Sequence, residues 1–146
     1  MYLNLAEILI ELDALENTTG RLEEAKGLID KIRVRAGIPT IDEAWKKANH
    51  PEKANTAEGL REIVRRERQI EFYLENQRFW DLRRWKDAGI LGEKVWGMNI
   101  EGDTDETFFV PTELQNIRTF KQAQYLMPIP MTETNKVPHI VQNPGY

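Results

Sequence analysis

Three glutamates one helical turn apart, Glu67, Glu71 and Glu75, run through the apolar side of the segment RRERQIEFYLENQRFWDLRRW, residues 65–85. They restrict the fold more than any other feature. On a helix over 57–75, at about 100° per residue, Leu60, Ile63, Val64, Ile70 and Leu74 share one face. Glu67 falls at the centre of that face, Glu71 beside it and Glu75 on its edge, while Arg61, Arg65 and Arg68 fall on the other side. Burying an unpaired charge costs on the order of several kcal/mol, so a fold that buries this face must bring cations to it. Arg33 and Arg35, Arg78 and Arg84 are available, and a guanidinium meets a carboxylate with two parallel hydrogen bonds. The expected result is a structural ion-pair network of Arg33, Arg35, Glu67, Glu71, Glu75, Arg78, Asp81 and Arg84. Asn76 tolerates the left-handed conformation that would end the helix and turn Arg78 back towards the stripe.

Helical periodicity extends upstream. Residues 2–16 are apolar on most sides, which predicts a helix with neighbours on more than one side. Asn17, Thr18, Thr19 and Gly20 break it, and Leu22, Ala25, Ile29, Ile32 and Ala36 mark a second helix that Gly37 and Pro39 end. The expected organisation is a helical hairpin over 1–40, a connector over 41–56 with a short helix at 41–48, and a second hairpin over 57–92. Residues 93–146 read as an irregular, Pro-rich tail. Its Phe108, Phe109, Val110, Ile117, Phe120, Tyr125, Leu126 and Ile129 predict packing on the helices. The fold class expected is mainly all-α.

Composition removes several functions. With 20 basic against 24 acidic residues, the chain lacks the basic surplus that phosphate neutralisation requires, so no nucleic-acid partner is expected. There is no cysteine and no serine, which excludes thiolate chemistry and a Ser–His–Asp triad. The two histidines, His50 and His139, stand apart from the carboxylate stripe, so neither a metal site nor a cofactor is expected. A glycoside hydrolase using Glu67 and Glu71 is one alternative reading. Pairing with arginine lowers a carboxyl pKa, however, and a general acid needs the reverse. A helical-repeat scaffold for protein partners is another. Trp80 and Trp85 read as core, and Trp45 and Trp96, in more polar surroundings, are the candidates for stacking on a ligand.

Three segments carry a resemblance. Arg33, Val34, Arg35, Ala36, Gly37, Ile38 and Pro39 form an Arg-x-Arg-Ala-Gly-apolar-Pro signature. Arg65, Arg66, Glu67 and Arg68 lead through Glu71 and Glu75 to Arg78, Phe79, Trp80, Asp81, Leu82, Arg84 and Trp85. The third is Tyr125 through Pro130 with Glu133, closed by Gln142, Asn143, Pro144, Gly145 and Tyr146. In this order they resemble the C-terminal region of the SusD/RagB family of nutrient-binding outer-membrane lipoproteins. The chain departs from the pattern at Asn76, where glycine is usual, at Asp13 and Ala14, and at Lys136, Val137 and Pro138.

The resemblance implies tetratricopeptide-like helical hairpins and no catalysis. It also implies a glycan or other nutrient as ligand, a SusC-like TonB-dependent transporter as partner, and a Gram-negative cell-surface location. Membrane attachment would be through a lipid anchor upstream of residue 1, because whole members are several times longer than this chain. The matched motifs read as framework, so the resemblance assigns no ligand-binding residue.

Overall fold

The computed structural model describes residues 1–114 and 118–146, and the chain divides into two units, Met1–Arg78 and Phe79–Tyr146. The first unit is helical. α1 (Tyr2–Glu16) ends where Asn17 adopts a left-handed conformation, φ 52°, and α2 (Leu22–Arg35) returns antiparallel along it. Asp13 fixes the turn between them. Its fully buried carboxylate accepts hydrogen bonds from Thr18 Oγ1 (2.7 Å), the Arg21 backbone N–H (2.7 Å) and the Arg21 guanidinium (2.9 Å).

α2 ends on Gly37, whose φ of 73° favours glycine. The Gly37 N–H donates to Val34 O and the Ile38 N–H to Arg33 O, closing the last helical turn. A capping box between Thr40 and Glu43 opens the short α3 (Ile41–Trp45), and a 3-10 turn follows at Pro51–Asn55. Thr56 caps α4 (Ala57–Glu71), its Oγ1 accepting from the Gly59 N–H at 3.1 Å. Gly59 is required there: a Cβ would lie 2.2 Å from the Lys53 carbonyl oxygen.

α4 packs on both α1 and α2. The resulting core includes Leu3, Ala6 and Ile10 of α1, Ala25 and Ile29 of α2, Ile41 of α3, and Leu60 and Val64 of α4. α1 therefore buries one face between two helices, and leaves Leu5, Ile8, Leu12 and Leu15 exposed. The all-round apolar helix expected from sequence is thus satisfied on one side within this chain.

The helical reading of 57–75 overshoots. α4 stops at Glu71, and Leu74 (φ 66°) and Asn76 (φ 64°) turn the chain before α5 (Gln77–Arg84) begins. Ile70 and Leu74, placed on the apolar face by periodicity, are exposed.

Beyond α5 the second unit is mostly irregular. It holds a two-stranded antiparallel sheet of β1 (Trp96–Met98) and β2 (Pro111–Glu113), pairing Trp96 with Glu113 and Met98 with Pro111. It also holds 3-10 turns at Ala88–Gly92 and Gln122–Tyr125 and the short α6 (Met131–Lys136). The C-terminal motif acts through side chains that bind backbone. Gln142 donates from Nε2 to Ile129 O and accepts from the Ile129 N–H, both at 2.8 Å. Asn143 Nδ2 donates to Met127 O, and the Tyr146 hydroxyl donates to Leu126 O. Pro128 and Pro130 have no N–H to donate, and the Gln142 side chain takes both backbone groups of Ile129 between them.

The tail packs on the α5 end of its own unit: the Tyr125 hydroxyl donates to Lys86 O at 2.6 Å. Of the tail residues expected to pack, Val110, Phe120, Tyr125 and Ile129 are half-buried, whereas Phe108, Phe109 and Leu126 are exposed. Ile117 lies outside the described residues.

Candidate functional site

The carboxylate stripe is built by α2 meeting α4. Arg33 Nη1 donates to Glu67 Oε1, with the two side chains only 12% and 11% exposed. Arg33 Nε donates to the Pro39 carbonyl at 2.7 Å, so one guanidinium ties the turn after α2 to the C-terminal half of α4. One turn on, Arg35 Nη2 donates to Glu71 Oε1, and this pair is more open, Arg35 being 66% exposed. Arg33 and Arg35 stand in the last turn of α2, just before the Gly37 that ends it, and reach Glu67 and Glu71 one turn apart on α4.

Glu75 lies past the end of α4, in the exposed turn. Arg78 is half-buried in the first turn of α5. Asp81 is buried and accepts from Arg84 Nε at 2.9 Å, and the Arg84 guanidinium lies over the Trp85 ring at 4.9 Å. In the same unit Arg83 covers the Phe79 ring at 4.1 Å. The structure thus brings Arg33 to Glu67, Arg35 to Glu71 and Arg84 to Asp81.

Sequence reasoning missed a second ladder on the opposite side of α4. Arg61 meets Glu11 through two hydrogen bonds of 2.6 and 2.7 Å, and Arg68 lies 3.5 Å from Glu7 and donates to Asn4 Oδ1. Arg68 is buried, because α1 covers that side of α4. The signal was present in α1: Glu7 and Glu11 stand one turn apart in an otherwise apolar helix. Hydrogen bonds donated to Glu11 raise the Arg61 pKa against the effect of burial. Lys26, also buried, is paired with Glu23 and Asp42; these bonds outweigh desolvation and raise its pKa.

Chemically, Glu67 and Glu71 are occupied acceptors. Each faces a guanidinium that takes up one of its acceptor oxygens. Among the described residues no group of three or more histidine, aspartate or glutamate side chains is placed to hold a metal ion. No helix among them is long and apolar enough to cross a membrane.

The two ligand-stacking candidates separate. Trp45 is half-buried against the core of the first unit. Trp96 stands on β1 with 61% of its surface exposed, opposite Glu113 in register. Glu113 accepts from Lys94 Nζ at 2.7 Å, so a bare indole, a carboxylate and an ammonium share one small area. Behind the strand, a Cβ on Gly97 would meet the Leu114 side chain at 3.1 Å, so β1 lies close against Leu114. Next to it the hairpin has a shallow depression of about 210 Å³, lined by Met98, Asn99, Ile100 and Thr112 among others.

The sequence profile of the SusD family matches residues 1–146. A search of curated protein sequences finds no match. Among solved structures, a SusD-like protein from Bacteroides fragilis is 36% identical with a TM-score of 0.73, covering 99% of this chain and 24% of its own. Two structures of the protein BT4246, one with selenomethionine, are 34% and 32% identical with TM-scores of 0.75 and 0.77. They also cover 99% of this chain, and 22% and 23% of their own. The chain therefore spans about a quarter of the length of these relatives.

Proposed function

The chain belongs to the SusD family, and from that premise we propose that it is the C-terminal part of a cell-surface glycan- or nutrient-binding lipoprotein. In this reading the whole protein passes its ligand to a SusC-like TonB-dependent transporter in the outer membrane of a Gram-negative cell. It is held there by a lipid anchor upstream of residue 1. It carries out no catalysis: Glu67 and Glu71, which a glycosidase would need free, are engaged by Arg33 and Arg35.

The observation that carries a ligand role for this part of the protein is Trp96. An exposed indole face packs against the apolar C–H face of a sugar ring, and Glu113 and Lys94 stand ready to bond its hydroxyls. Trp45, spent on the core, contributes framework only.

Affinity electrophoresis of the full-length protein against a glycan panel tests this reading. Retardation by at least one glycan is expected, and Trp96→Ala should weaken it about tenfold, the loss typical of an aromatic anchor. Retardation by none of the panel would count against the function. Retardation unchanged by Trp96→Ala would remove the residue assignment alone.

A further inference from the structure

We draw no further inference here: the strongest candidate, the open cavity of about 410 Å³ between the turn at Lys86, Tyr125 and the C-terminal Pro144 and Gly145, belongs to a chain that spans about a quarter of the length of its relatives, and nothing in the structure shows what covers it.

Discussion

Asp13 is a carboxylate with no access to solvent at a turn between two helices. Burial alone would push its pKa up. The hydrogen bond from Thr18, those from the Arg21 backbone and guanidinium, and the Arg21 charge outweigh burial and hold it below the ordinary carboxylate range. An acid with a lower pKa folded than unfolded releases its proton more readily in the native state. Its contribution is therefore fully present above the unfolded value of about 3.9, and is lost as the pH falls through the lower folded value. Asp13→Asn cannot titrate. Its thermal midpoint should lie below wild type at neutral pH and fall less steeply as the pH drops below about 4. Midpoint-versus-pH curves that run parallel for the two proteins would show that Asp13 does not contribute this dependence.

Between elements, the same chemistry fixes how α2 docks on α4, and the two rungs differ in burial. Removing Glu67 leaves the Arg33 guanidinium in a largely closed site, which should cost about 3–5 kcal/mol. Removing Glu71 frees an Arg35 already mostly in water and should cost less than about 1 kcal/mol. Urea denaturation of Glu67→Ala and Glu71→Ala distinguishes them; equal small losses would mean that both rungs are solvated. The contrast also marks what the sequence made legible. The long helices and the breaks at Asn17 and Gly37 could be read because their periodicity runs for several turns. The end of α4 could not, since Ile70 and Leu74 continue the apolar spacing past the point where Leu74 adopts a positive φ. The burial of Arg68 could not be read, because a wheel drawn for one neighbour has only one buried side, and α4 has α1 and α2 on two. β1 and β2, at three residues each, are too short for alternation to register. Trp96 could be singled out by its polar context, but Glu113, its partner across the strands, is too distant in sequence to be found without the pairing.

At the scale of the whole chain, the two units are ordered by different means. In the first, aliphatic side chains from four helices are fully or nearly fully buried together, and each square ångström of apolar surface removed from water contributes about 25 cal/mol. In the second, the fully buried apolar residues among those described are Leu82 and Ala88. Its order depends instead on side chains that bind backbone, such as Gln142 on Ile129 and Asn143 on Met127. A hydrogen bond exchanged against water contributes only about 1 kcal/mol net, and such contacts open locally without disturbing a core. Amide hydrogen exchange on the intact chain should therefore show two levels. The central turns of α1, α2 and α4 should be protected at least about tenfold more than the turns and tail beyond Arg78, the step following the boundary between the units. Equal protection in α4 and in residues 120–146 would mean that the tail's polar clasp is as strong as the helical core.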